Sequence, residues 1–201
     1  MKRIPPAVRR ELLLDAAFRV IARSGVQSAT TRAICAEAAM PLASFHYVFE
    51  SQQELMRELG ERVIQSAGDH ERFPELTTDM YRNVELMLRS TFDWAADHPD
   101  EELAYYEIAN YSLRNGEDFG LRRVEVALEL IVRAFHIIEA IHEDQPVVAD
   151  FQHLAWMVLT FIEGNAVMHL HTRDRDAVYR AIKTFSVFLV DYGTGRVLEP
   201  S

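Results

Sequence analysis

Thr30, Thr31, Ser44 and Tyr47 bring four hydroxyls into one short stretch, TTRAICAEAAMPLASFHYVFESQQEL (residues 30–55), together with Arg32, His46 and Gln52. Hydroxyl, guanidinium and carboxamide groups are donors suited to phosphate oxygens, and side chains at the start of an exposed helix can meet base edges. That chemistry is recognition and not bond making. The chain shows no Gly-x-Ser-x-Gly elbow, no phosphate-cradling glycine loop and no Cys/His arrangement with a local signature, so an enzyme is not expected. No histidine lies three or four residues from another, and His169 and His171 point to different sides of a helix. Neither a metal site nor a cofactor is expected. Cys35 is the one cysteine; it excludes an intramolecular disulfide and reads as a small packed residue.

The elements that must position these residues are helices. Apolar residues recur at three and four positions along almost the whole chain, with proline and glycine between the runs, and strand signals are nearly absent. The expected fold class is all-α. Leu13, Ala16, Ala17, Val20 and Ile21 form the stripe of a first helix, with Arg9, Arg10, Arg19 and Arg23 mostly off it and Ser24-Gly25 as its stop. Thr30 or Thr31 caps a short helix running through Ala38, Pro41 opens the next, and that one ends near Phe49. Ser51 and Glu54 have the spacing of a capping box. Longer helices are expected at 52–67, 78–97, 101–114, 119–142, 147–171 and 175–192, with breaks at Pro74, Pro99, Asn115-Gly116, Asp144–Pro146 and Asp174.

Two short helices around a corner are the helix-turn-helix layout. Ile34, Ala38, Phe45 and Phe49 are expected to face inward, leaving Leu42, Ala43, Ser44, His46 and Tyr47 on the start and outer face of the second helix. The hydroxyls and the amide ends of both helices suit a polyanion. Charge agrees locally: residues 1–50 hold seven Lys/Arg against four Asp/Glu, whereas residues 51–201 hold 14 against 27, within a net charge of −10. A basic module on an acidic body is steered inward by its own end.

In this stretch the sequence resembles the tetracycline-repressor (TetR) family of bacterial transcription regulators. Thr30, Thr31, Ile34, Ala38, Phe45, Phe49, Ser51 and Leu55 fall in register with its pattern T-T-x-x-I-A-x-x-A-G-V-x-x-G-x-L/F-Y-x-Y/H-F-x-S-K-x-x-L. The motif covers residues 9–55; the rest agrees only in length and helical pattern. Ala39 and Ala43 stand where glycines are usual, His46 where tyrosine is common, and Gln52 where a phosphate-binding lysine is usual. The resemblance implies a DNA-binding domain over 1–50, contacting DNA through Thr30, Thr31, Arg32, Leu42, Ala43, Ser44, His46, Tyr47 and Gln52. Residues 51–201 would be a helical ligand-binding and dimerisation domain.

In that second part, the runs 158–170 and 178–190 are apolar over more than a one-sided stripe. They resemble the family's dimer interface, built from the last two helices of each subunit, with Phe161, Gly164, Met168, Phe185 and Phe188 as candidates. Trp94, Tyr105, Tyr106, Tyr111, Phe135, Trp156 and Phe161, with Glu107, Asn110 and Asn165 as polar anchors, are candidates for a small-molecule pocket. Many aromatics and few cations favour an apolar or cationic effector. The expectation is a homodimeric repressor that holds a palindromic operator and lets go when a ligand binds. The competing reading is an all-α dimeric ligand-binding or interaction module that binds no DNA. The interrupted apolar start lacks a signal-peptide pattern, and the run 154–170 contains Glu163, Asn165 and His169 and is too short to span a membrane. A cytoplasmic location is therefore expected.

Overall fold

The structure is a computed structural model that describes residues 4–69 and 75–197, with residues 66–69 described in their backbone only. Among the described residues there are nine α-helices and no strand: α1 (Pro6–Ser24), α2 (Thr31–Glu37), α3 (Ala43–Val48), α4 (Gln52–Asp69), α5 (Met80–Asp97), α6 (Pro99–Asn115), α7 (Phe119–Ile141), α8 (Phe151–Thr172) and α9 (Arg175–Gly193). The expected break at Pro74 lies outside the described residues. No helix among them is long and apolar enough to cross a membrane.

Helix ends follow the chemistry of orphan backbone groups. Side-chain oxygens of Thr30, Asp79, Asp150 and Asp174 accept from the amides of Ala33, Arg82, His153 and Ala177, three residues on in each case. Ser51 accepts from the Glu54 amide at 3.1 Å, half of the expected capping box; the Glu54 carboxylate reaches back one residue further, to the Glu50 amide at 2.6 Å. The eighth helix starts at Phe151 and not at 147, because the amides of Val148 and Ala149 donate to the Gly193 carbonyl at 2.8 and 3.2 Å. α3 starts two residues beyond Pro41, whose carbonyl accepts from the Ser44 amide at 2.8 Å.

The chain forms two compact units. The first comprises Met1–Ser66 and Pro99–Arg123, the second Ala67–His98 and Val124–Ser201. The geometric division therefore differs from a cut at residue 50. α4 and α6 supply buried residues to the first unit: Leu13, Ala16, Ala17, Val20 and Ile21 of α1 are buried, as are Ile34, Phe45, Phe49, Leu55, Met56, Leu59 and Ile108. At the α6–α7 corner the Ser112 hydroxyl donates to the Glu117 carbonyl at 2.7 Å and accepts from the Gly120 amide at 3.1 Å. The second unit packs α5, α7, α8 and α9 around Phe92, Phe135, Ile138, Leu154, Val158, Ile162, Val178, Ile182 and Leu189. Within it the buried Asn83 amide donates to the Thr77 carbonyl and meets His142 Nε2, each at 2.9 Å.

Candidate nucleic-acid interface

The corner between α2 and α3 is closed by backbone geometry. The Ala39 amide donates to the Ala36 carbonyl at 3.1 Å and the Met40 amide to the Cys35 carbonyl at 2.8 Å, the paired bonds of a Schellman turn. Such a turn needs a left-handed residue, and Ala39 has φ +51°. Alanine thus occupies a conformation that glycine adopts without strain.

Rotation of α3 is set by what it buries. Phe45 and Phe49 are buried with rings 5.3 Å apart, and Ile34 and Cys35 are buried on α2. Burial pushes the Cys35 thiol pKa up, opposed by a hydrogen bond from the Phe45 backbone, so it stays protonated and packed. Ala38 is only half-buried. Leu42, Ala43, His46 and Tyr47 are exposed and make the outer face, as expected, with Tyr47 at 56%. Ser44 is the correction: at 4% exposure it turns inward beside Phe45, and its hydroxyl accepts from Arg9 Nη1 at 3.2 Å. Thr30 is exposed and committed to capping α2, Thr31 is half-buried, and Arg32 is exposed. The Gln52 carboxamide donates to the Ala29 carbonyl at 2.9 Å, tying the start of α4 to the residue before α2.

Arg10, an anchor that sequence reading missed, holds this module together. Its guanidinium sits over the Phe49 ring at 4.4 Å, donates to the Val48 carbonyl at the end of α3, and pairs with Glu54 at 2.5 Å and with Glu58, Nε to Oε2 at 2.7 Å. Hydrogen bonding to Glu58 keeps the guanidinium charged. Glu54 and Glu58 stand one helical turn apart, but Arg57 and Arg62 lie at helical spacing from them, so no local pattern pointed to Arg10 as their partner.

The expected ligand residues divide between the units. Tyr105, Tyr106, Glu107, Asn110 and Tyr111 lie on α6 in the first; Trp94, Phe135, Trp156, Phe161 and Asn165 lie in the second. Glu107 is no free anchor: its carboxylate accepts from the Val26 amide, in the turn that precedes α2. Asn165 donates to the Phe161 carbonyl of its own helix at 2.8 Å, and Trp156 is 53% exposed on α8. Of the expected dimer residues, Phe161 and Phe185 stack on each other at 4.0 Å inside the subunit. Gly164, Met168 and Phe188 are exposed, joined by Trp156, Val167 and Val187, which were not assigned to that face.

Among the described residues, all regular structure is helical, and the amino-terminal end carries a helix-turn-helix layout backed by buried side chains. Residues 13–59 match the family model described as "Bacterial regulatory proteins, tetR family". The match is confined to this amino-terminal module, which is what the chain shares with that family. Among curated relatives, it is 35% identical over 125 residues to the HTH-type nicotine-responsive transcriptional repressor HdnoR of Paenarthrobacter nicotinovorans; the match spans 60% of this chain and 63%, less than two thirds, of that protein. In fold it is similar to a transcriptional regulator from Rhodococcus sp. Rha1 (TM-score 0.73, 13% identity, 94% of this chain and 99% of that one). GusR of Salmonella enterica gives a TM-score of 0.71 at 18% identity, over 95% of this chain and 100% of that one.

Proposed function

We propose that this protein is a homodimeric transcriptional repressor that binds a palindromic operator through the outer face of α3 and releases it when a small molecule binds the body. The observation that carries the reading is the orientation of α3. Phe45 and Phe49 bury one side, while Leu42, Ala43, His46 and Tyr47 stand exposed on the other, on a module of the TetR family. Leu42, which precedes this six-residue helix, and Tyr47 on it are large apolar or aromatic side chains left exposed, where they can meet bases and backbone in a major groove. Thr30, Thr31 and Arg32 at the start of α2 face phosphates in this reading, and Gln52 is a brace before it is a contact. A bacterial regulator of this kind works in the cytoplasm.

Dimerisation is assigned to α8 and α9. Trp156, Val167, Met168, Val187 and Phe188 leave an apolar face uncovered, and a Cβ at Gly164 would meet nothing within 4 Å of its own chain. Gly164 is therefore not needed small by the subunit itself, which suits close approach of a second copy. The body over 51–201 supplies the effector site, with Trp94 and Phe135 of the second unit as its remaining candidates there. The effector is apolar or cationic in this reading, and nicotine, to which the relative from P. nicotinovorans responds, is the first to try.

The test is selection of bound duplexes from a random library by the purified protein, followed by a salt titration on the best one. A palindromic winner whose affinity falls steeply with salt supports the reading. A folded dimer that enriches no motif leaves the alternative, an all-α ligand-binding or interaction module without DNA binding.

A further inference from the structure

The first sixty residues carry six described arginines, and four of them are consumed by carboxylates. Arg10 pairs with Glu54 and Glu58, Arg19 and Arg23 both pair with Glu37, and Arg57 pairs with Glu117. Among the described residues, Arg9 and Arg32 have no carboxylate partner. Arg32 lies on α2, where a phosphate contact is already expected. Arg9 lies in the first turn of α1, which holds no acidic residue.

Arg9 is nonetheless held in place. Its guanidinium lies over the Tyr47 ring, 5.3 Å from the centroid, Nη1 donates to the buried Ser44 hydroxyl at 3.2 Å, and Nη2 reaches the Ile4 carbonyl at 3.4 Å. Its Nε is buried and has no hydrogen-bond partner. The stack fixes one face of the group and neutral oxygens meet its edge, so a full positive charge remains uncompensated beside the exposed outer face of α3.

We infer that Arg9 is a phosphate anchor of the interface, preset by Tyr47 and Ser44, and that it supplies the cation that Gln52 does not. This rests on the DNA-binding reading above. It changes the roles of two expected contacts: Ser44 and the Tyr47 ring become positioning residues for a cation that comes from a different helix. A planar guanidinium held on two sides loses little freedom on meeting a phosphate, which makes one fixed arginine an effective substitute for a mobile lysine. The local helix end adds to the same sign of potential.

The experiment uses the full-length protein and the duplex recovered by selection. Arg9→Gln keeps a donor for Ser44 and removes the charge; Arg9→Lys keeps the charge without the fork. Affinity is measured from 50 to about 200 mM salt, alongside the melting temperature. Arg9→Gln is expected to weaken all duplexes by about tenfold and reduce the slope of log K against log salt by about one, and Arg9→Lys to restore the slope. Tyr47→Leu removes the platform and is expected to weaken binding much less in the Arg9→Gln background than alone. An unchanged salt slope in Arg9→Gln, or a changed base preference in place of a uniform loss, overturns the assignment while leaving the DNA-binding reading standing. Should Arg9→Gln fail to fold, an affinity of Tyr47→Leu equal to the parent's would overturn it instead. Absence of any duplex binding by the parent protein is the separate result that sinks the underlying reading.

Discussion

Ala39 shows how one residue can carry the fold and still be improvable. It stands where the resembled family pattern has glycine, and its φ is +51° with both Schellman bonds formed. Ala39→Gly is therefore expected to stabilise the protein by about 1 kcal/mol, raising the melting temperature by roughly 2–4 °C for a chain of this size, with operator affinity unchanged. Differential scanning calorimetry checks it, and a lower melting temperature would contradict the strain argument. Ser44 teaches the opposite lesson. Its hydroxyl chemistry suggested a phosphate contact, yet its neighbour Phe45 needs the core, and the six residues of α3 cannot be rotated independently. In a helix that short, one buried phenylalanine decides which face every other side chain takes.

At the level of elements, the first unit is braced where α6 and α7 meet the amino-terminal helices. A Cβ on Gly60 of α4 would sit 2.5 Å from the ring of Phe119, which is itself buried, so neither partner can yield cheaply. Gly60→Ala is expected to cost about 1–3 kcal/mol, read as a lower urea midpoint at constant slope. Around that contact Glu117 accepts from Gln53 at 2.7 Å and pairs with Arg57 at 3.3 Å, and Arg122 pairs with Glu61. Glu107 braces the other side by accepting the Val26 amide. Glu107→Ala leaves that amide without its partner and is expected to cost about 1–2 kcal/mol, with Glu107→Gln recovering most of it. Paired melting curves separate the two. The same comparison tests whether Glu107 serves the fold, since a ligand anchor would change effector affinity and leave the melting temperature of the free protein alone.

For the whole molecule, charge and surface set the remaining expectations. The Glu37 carboxyl is held below its ordinary 4.5 by Arg19 and then Arg23, that of Glu54 by the Glu50 amide and then Arg10, and that of Glu117 by Gln53 and then Arg57. Groups lowered in this way contribute stability that is present above 4.5 and lost as the pH falls through the folded values. His169, edge-on to Phe92 with ring centroids 5.3 Å apart, is lowered from 6.5 by burial and then by Arg173 and Arg175. It is kept neutral, so its contribution is complete above 6.5 and declines below that value as the unfolded chain takes up a proton. Denaturation midpoints are thus expected to begin falling below pH 6.5 and to fall further below 4.5, and His169→Phe to flatten the first decline. On the apolar face of α8 and α9, Phe188 is 43% exposed, so Phe188→Glu is expected to leave helicity intact and yield a monomer by sedimentation. By itself the sequence determined that the described elements are helices, the Thr30 cap and the helix-turn-helix layout, since these depend on neighbours within a few positions. Tertiary structure alone decided that Ser44 turns inward, that Arg10 and Glu107 are braces, that Phe161 and Phe185 face each other, and that Arg9 lies on Tyr47. Each of those facts depends on how one helix is rotated against another, which buried side chains distant in the chain set together and no local period records.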